Sequence, residues 1–522
     1  MAKKGLKKEL GLFSLVALGV GGMIGSGIFV LPATMSASAG PGLILGIFLS
    51  GVIALFLGIA YAELGAAFPI TGGPYSLPRL ALGNFAGFFM GWGYFLYLFI
   101  GTAGVINIFV VYLGFYFPAL VVGSSLSTLG VLVSVAFLWV FTLINIFGVK
   151  WGGYYAEITT IGKLIPLLIF VLVGLAFMQG KNFSPFLPYG LSGIPIAVSL
   201  FFWSYTGFEA IVVPSEEVKN PSFTIPWSMI LTILISIAIY TIISTVFVGM
   251  LDWKSLSFKP GDWQAVSQLS SPFSEVPESL KLPILAVIMV IGAIIATGGS
   301  GGSWVLIQGR MPFAMARDKL FWSKMGKIHP KYGTPVASLV LASLLSTVVL
   351  VTITDFPAIA LMAVVTVILP YAAAVVSLLV LRKTKKDVKR PFRLPCAKLI
   401  SIMGFVLATF LMYWATWPWT AVGIGLMMTG YPAFVLVKKH KFEVKRNLWI
   451  LVYLAGVLIV SMLGDKHFTS GNFTNFEPLG ILPMPWDLVI LGIFGIGIFE
   501  WAYRVNSTYP PTESNKKIKL EN

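Results

Sequence analysis

Cysteine is almost missing from this 522-residue chain, and the single Cys396 excludes both an intrachain disulfide and a cysteine-rich metal site. Histidine is nearly as scarce: His329, His440 and His467 all fall in predicted loops, so no histidine metal centre is expected in the membrane. Charge is also in short supply, at 11% of residues against 57% hydrophobic, and it is clustered rather than scattered as a soluble surface requires. No Asp, Glu, Lys or Arg occurs between Glu9 and Glu63, nor between Arg79 and Lys150. Each of these stretches can cross a bilayer twice, because one crossing takes roughly 20 apolar residues. The chain therefore reads as a many-spanning α-helical membrane protein.

The charge that is present sums to +16, which in a soluble protein would suggest a nucleic-acid binder. Its location argues for topology instead. Apolar runs bounded by charge, Pro and Gly predict fourteen spans, near 11–35, 42–66, 84–113, 126–148, 154–178, 193–217, 225–250, 283–307, 335–354, 357–381, 397–416, 418–437, 447–464 and 485–503. With the N-terminus inside, the inner segments carry thirty of the 36 Lys and Arg, the outer segments carry five, and Lys163 lies within a span. That asymmetry places both termini in the cytoplasm and predicts a multi-pass protein of the cell membrane. Lys3, Lys4, Lys7 and Lys8 run straight into apolar sequence with no cleavage-type site, so the first span is read as retained. The inner loops 308–334 and 382–396 are the most basic. In the second, Arg382, Lys383, Lys385, Lys386, Lys389, Arg390 and Arg393 are expected to contact anionic lipid and set topology.

Two spans carry helix-weakening sequence near their middle. The first reads Gly19-Val-Gly-Gly-Met-Ile-Gly-Ser-Gly27, and each glycine costs a helix about 1 kcal/mol relative to alanine. The sixth reads Phe201-Phe-Trp-Ser-Tyr-Thr-Gly-Phe-Glu209. Five spans separate their starts, so they hold matching positions in two successive five-helix units of opposite topology. Paired interrupted helices in an inverted repeat point to a transport site. Gly21 and Gly25 also fit close helix packing of the Gly-xxx-Gly kind; the matched break in the sixth span, with its acid, favours function. At such breaks free N–H groups can hold a carboxylate and free carbonyls an ammonium, and an amino-acid zwitterion offers one of each.

At these residues the chain resembles the amino acid/polyamine/organocation transporter superfamily over roughly residues 10–400. Gly22-Met-Ile-Gly-Ser-Gly-Ile-Phe29 resembles its first-helix signature. Tyr61-Ala-Glu-Leu-Gly65, Phe68-Pro69 and Thr71-Gly-Gly-Pro-Tyr75 are similar to the end of its second helix. Phe202 through Glu209, continuing to Ser215-Glu-Glu-Val-Lys-Asn-Pro221, resembles its sixth helix and following loop. Met315-Ala-Arg-Asp318, His329-Pro and Gly333-Thr-Pro-Val336 resemble its eighth-to-ninth inner loop. The resemblance implies a leucine-transporter-like ten-helix core over 1–381, with inverted repeats at about 11–178 and 193–381. Accessory helices and a C-terminal tail follow over 382–522, and spans thirteen and fourteen exceed the commoner count of twelve.

It further implies secondary active transport of an amino acid by alternating access, without sodium, through proton symport or amino-acid exchange. A polyamine or other organic amine is the alternative cargo. The expected substrate contacts are Met23, Ile24, Gly25, Ser26 and Gly27 in the first span and Phe202, Trp203, Ser204 and Gly207 in the sixth. By resemblance Trp203 caps the substrate, while Thr102 in the third span and Trp304 in the eighth line up with pocket-facing positions. Glu209 matches the family's sixth-helix acid and is expected to gate or couple. Lys163 resembles a fifth-helix lysine that stands where sodium-coupled relatives bind a cation. It either exchanges a proton in the cycle or rests as a structural ammonium on carbonyls of the broken first helix. No cofactor, metal or nucleic acid is implied.

A channel would need a continuous polar stripe or charged ring, whereas the interior polar residues here gather at two breaks. An intramembrane enzyme would need a nucleophile–base pair or paired carboxylates, and none is visible in the spans. Glu63 and Glu157, near inner span ends, read as solvated or snorkelling carboxylates. Glu216, Glu217 and Lys219 read as loop-positioning residues, and Pro166 as a kink in the fifth helix.

Overall fold

The computed structural model describes residues 10–70, 72–147, 152–212, 218–437, 443–464 and 478–512, except the side chains of 152–161. The N-terminal lysines 3, 4, 7 and 8, Thr71, the Glu157 side chain, Glu216, Glu217, His440 and His467 lie outside the described residues.

The described chain is helical almost throughout, with one two-residue hairpin at Val121–Val122 and Ser125–Leu126. Its first half contains α1 (Leu12–Met23), α2 (Gly27–Ala39), α3 (Leu43–Ala67), α4 (Gly73–Leu82), α5 (Asn84–Leu113), α6 (Thr128–Phe147), α7 (Gly152–Gly174), α8 (Ile194–Tyr205) and α9 (Pro221–Gly249). Next come α10 (Trp263–Val266), α11 (Pro272–Ser279), α12 (Pro283–Arg317), α13 (Val336–Thr352) and α14 (Phe356–Thr384). The chain closes with α15 (Ala397–Trp414), α16 (Trp419–Met428), α17 (Gly430–Leu436), α18 (Val444–Leu463) and α19 (Trp486–Asn506).

Every one of the fourteen predicted ranges holds helix. Among the described residues eleven helical runs are long and apolar enough to cross a membrane, and α1, Gly162–Phe177 and α13 are shorter apolar helices. The first range is α1 plus α2 and the sixth is α8 plus a short 3-10 turn, Phe208–Val212, so both are interrupted as the sequence predicts. The fifth helix continues without interruption through Pro166, and a side chain at Gly292 of α12 would collide with the Pro166 ring.

Three features differ from expectation. The eighth helix does not stop near 307 but runs to Arg317. Its polar Gln308, which reads as loop, is fully buried, donating to Ser343 Oγ at 3.2 Å and accepting from Ser346 Oγ at 2.9 Å, so the helix tolerates it. A further helix, α4, occupies the connection between α3 and α5. Pro74 sits in its first turn, where a missing N–H is harmless, and Gly72 and Gly83 flank it at φ of +100° and +99°, values that glycine adopts freely. The connection after α9 likewise folds into α10 and α11.

Glu63 is the clearest correction. It is not solvated; it is fully buried near the C-terminal end of α3. Arg382 grips both carboxylate oxygens, with Nε at 2.8 Å from Oε1; the Leu394 N–H donates to Oε2 at 2.7 Å, and Arg390 Nε stands 3.6 Å from Oε1. Two arginines of the basic loop are thus turned inward to hold the core rather than outward to lipid. Removing one partner of a buried pair leaves the other charge uncompensated. Glu63→Gln is expected to destabilise the protein by about 3 kcal/mol, read as a clear fall in melting temperature in detergent; an unchanged Tm would contradict this pairing.

Candidate functional site

The first break arises where α1 runs out of helix-forming sequence. The Ile24 N–H still bonds Val20 O at 2.9 Å, but Ile24 itself is extended at φ −73°, ψ 94°, and helix resumes only at Gly27. The opening N–H groups of α2 therefore face the gap with no intrahelical acceptor and with the positive end of the helix dipole behind them. The sixth-span break is built differently. Thr206 closes α8 by donating its N–H to Phe202 O and Trp203 O, both at 3.2 Å, and its Oγ1 to Trp203 O at 2.6 Å. Gly207 then turns the chain at φ +102°.

The two breaks lie back to back. A Cβ on Gly207 would sit 3.1 Å from Gly22 O, so backbone meets backbone here. Tyr240 of α9 bridges them: its hydroxyl lies 2.8 Å from Met23 O and 2.9 Å from Ser204 O. One hydroxyl proton serves two carbonyls, the last of α1 and one at the end of α8. Ser26 and Ser204, one at each break, are buried with hydroxyls that have no hydrogen-bond partner among the described residues. Gly25 and Gly27 play different parts. A Cβ on Gly25 would meet nothing nearer than Met23 O at 3.9 Å, whereas one on Gly27 would run into Ser204 Oγ and come within 2.8 Å of Trp203 Cδ1.

Beside the breaks stands an aromatic wall. Trp203 and Trp304 stack with centroids 5.8 Å apart and planes 15° from parallel, and Phe356 packs edge-on to Trp203 at 5.8 Å. Tyr97 touches both indoles, at 6.2 and 5.3 Å. The indoles approach α5 at Gly101, where a Cβ would collide with Trp304. Thr102 is buried next to it, and its Oγ1 is bonded to Leu98 O at 2.8 Å within its own helix.

Glu209, fully inside the protein, follows the second break directly. Its Oε1 accepts from Tyr94 at 2.9 Å, and its Oε2 accepts from Tyr371 at 2.7 Å and from the Gly207 N–H at 3.1 Å. Among the described residues no cation is bonded to it. The carboxyl group thus links α5, α14 and the broken sixth span through hydroxyls, and Tyr61 packs edge-on to Tyr371 at 6.1 Å. Lys163 reaches from α7 to the first broken helix, donating from Nζ to Gly21 O at 2.5 Å. Its side chain is 4% exposed.

The structure therefore brings Met23, Ile24, Ser26, Gly27, Phe202, Trp203, Ser204, Gly207, Trp304, Glu209 and Lys163 into one neighbourhood on α1, α2, α7, α8 and α12. Tyr94, Tyr371, Tyr240 and Phe356 belong to it as well and are not foreseen from the sequence. A regular signal does mark one of them: Ser228, Thr232, Ser236, Tyr240 and Ser244 recur every fourth residue and are all buried on α9. Among the described residues no group of three metal-ligating side chains occurs.

A family profile described as amino acid permease matches residues 10–458. The aspartate-proton symporter of Bacillus subtilis strain 168 is 30% identical, over 96% of this chain and 97% of its own. The glutamate/serine transporter AimA of the same organism is 26% identical over 96% and 94%, and its branched-chain amino acid permease BcaP is 28% identical over 80% and 90%. With a family match across most of the chain, a membrane-spanning helical fold and two interrupted helices set against each other, this chain belongs to the amino acid permeases of the amino acid/polyamine/organocation superfamily, a family of amino acid transporters.

Proposed function

We propose that the protein moves an amino acid across the cell membrane by alternating access, with the zwitterion held between the two helix breaks. The observation that carries this reading is the pair of buried hydroxyls of Ser26 and Ser204, one at each break, that have no hydrogen-bond partner among the described residues, beside the start of α2. In this reading the carboxylate lies on the N–H groups around Ser26 and Gly27, and the ammonium on carbonyls near Met23, Ile24, Phe202 and Ser204. Tyr240 already leans on the Met23 and Ser204 carbonyls, which leaves their remaining lone pairs to the ammonium. Trp203 and Trp304 shield the site, and Thr102 borders it. The core is a ten-helix unit over 1–381, with repeats at 11–178 and 193–381, both termini cytoplasmic, and residues 382–522 accessory to it.

Among the described residues Lys163 is the one basic side chain hydrogen-bonded to either broken helix, which favours a cargo with a neutral side chain. The full-length similarity to an aspartate-proton symporter supports an acidic cargo as the second reading. Lys163 supplies a built-in cation against α1, which makes sodium dispensable. Coupling then falls to protons or to exchange. The test is uptake of radiolabelled serine, leucine, glutamate, aspartate and spermidine into proteoliposomes in potassium-only buffer. Uptake of at least one amino acid is expected; uptake of the amine alone would overturn the reading.

Glu209 acts in gating rather than selection, because it binds the turn after Gly207 to α5 and α14. Glu209→Gln keeps the shape but turns one acceptor oxygen into a donor, set against either the Tyr94 hydroxyl or the Tyr371 hydroxyl and the Gly207 N–H. It is expected to slow flux by about tenfold, near the worth of one hydrogen bond to a charged group, while equilibrium binding changes by less than about threefold. Unchanged flux in proteoliposomes would remove Glu209 from the mechanism.

A further inference from the structure

The accessory helices α18 and α19 lack an evident place in a ten-helix transport cycle, yet the structure ties them to its inner side at one point. Arg446, in the first turn of α18, is only 6% exposed. Its Nη2 donates to Ala81 O at 3.2 Å, its Nε to Asn506 Oδ1 at 3.1 Å, and its guanidinium lies 4.9 Å above the Tyr509 ring. Glu443, its acidic neighbour, stands 3.6 Å away and is mostly exposed. Just beyond α19, the Thr512 N–H donates to Leu80 O at 3.1 Å. Leu80 and Ala81 end α4, so two carbonyls that a helix leaves orphaned at its C-terminus are filled by groups more than 360 residues away in sequence. Gly83 completes the fit: a Cβ there would lie 2.9 Å from the guanidinium carbon.

The other parts of α4 hold the inner machinery. Arg79 pairs with Asp318 at the end of α12, and Tyr75 donates to the same carboxylate oxygen at 2.9 Å. At its first residue, Gly73, a Cβ would come within 2.9 Å of Val212 Cγ2, in the 3-10 turn that carries Glu209. One short helix thus touches the inner half of the broken sixth span, the inner end of α12 and the accessory helices.

We propose that Arg446 and the 507–512 segment are positioning elements that brace α4 against residues 208–212 and thereby set how readily the inner side of the transporter opens. The brace acts through α4 and not through the substrate. The inference extends the transport reading above but does not depend on where the substrate sits. Arg446→Gln keeps a polar side chain but shortens it and removes the charge and the fork; Thr512→Pro removes a single N–H and leaves every side-chain contact of α4 in place.

The experiment is hydrogen–deuterium exchange on the purified full-length protein in lipid nanodiscs, without substrate. Both variants are expected to raise exchange about fivefold or more across 73–82 and also across 208–212, with 100–113 in α5 unchanged. In sided proteoliposomes the half-saturating concentration of serine, glutamate or aspartate should shift at the inner face while the outer-face value holds. Unchanged exchange in both segments would overturn the proposal, as would faster exchange confined to 73–82, which would make Arg446 a local anchor only. If Arg446→Gln does not fold, Thr512→Pro alone decides. Loss of binding with normal exchange would speak against the substrate site and leave the brace contradicted as well.

Discussion

Lys163→Ala is expected to reduce transport on the order of 100-fold, the equivalent of about 3 kcal/mol, which is the upper worth of a hydrogen bond to a charged group. The ammonium is nearly enclosed and donates to Gly21 O two residues before the first break. In its absence that carbonyl is left without a charged donor, and nothing else among the described residues ties α7 to the end of α1 by a side-chain hydrogen bond. The end of α1 loses that fixed point at Gly21, while Met23 O keeps its bond from Tyr240. Equilibrium binding should weaken less than flux, because the N–H groups of α2 are untouched. A variant that keeps wild-type flux would show that the Lys163 contact is incidental. Uptake by the wild type that demands a sodium gradient, with potassium unable to replace it, would contradict the role given to the ammonium.

What the sequence reveals and what it hides have separate physical causes. Helix positions are legible because a bilayer forces roughly 20 apolar residues per crossing and expels charge to the ends. The breaks are legible because glycine and polar residues at mid-span are costly unless used. The sequence alone conceals side-chain pairing at long range. Glu63 reads as a snorkelling acid because its partner Arg382 is 319 residues away, and nothing local marks the pair. The tyrosines that hold Glu209 come from α5 and α14, at separations of 115 and 162 residues, and look like ordinary aromatic membrane residues until the helices meet. Helix α4 is hidden for the opposite reason: its Pro74, Pro78 and flanking glycines signal a loop, yet Pro74 opens a helix, Pro78 lies inside it and Gly72 and Gly83 flank its two ends.

Gly25 and Gly27 share a motif, but the structure separates them, and that separation gives the most direct test. Gly27 is packed: a side chain there strikes Ser204 and Trp203, so loss of binding in a Gly27→Leu variant reports disrupted packing as much as a blocked site. Gly25 has room for a small side chain beside the first break, since a Cβ there would make only an ordinary contact with Met23 O at 3.9 Å. If that space is where the amino acid sits, Gly25→Val fills it without disturbing the fold. The deciding measurement is a binding titration of whichever of serine, leucine, glutamate and aspartate binds the purified wild type, repeated on Gly25→Val with melting temperatures alongside. The account predicts a wild-type Tm and affinity weakened by more than about 100-fold, or ~2.7 kcal/mol; wild-type affinity in the folded Gly25→Val protein would place the substrate elsewhere and contradict the site at the paired breaks.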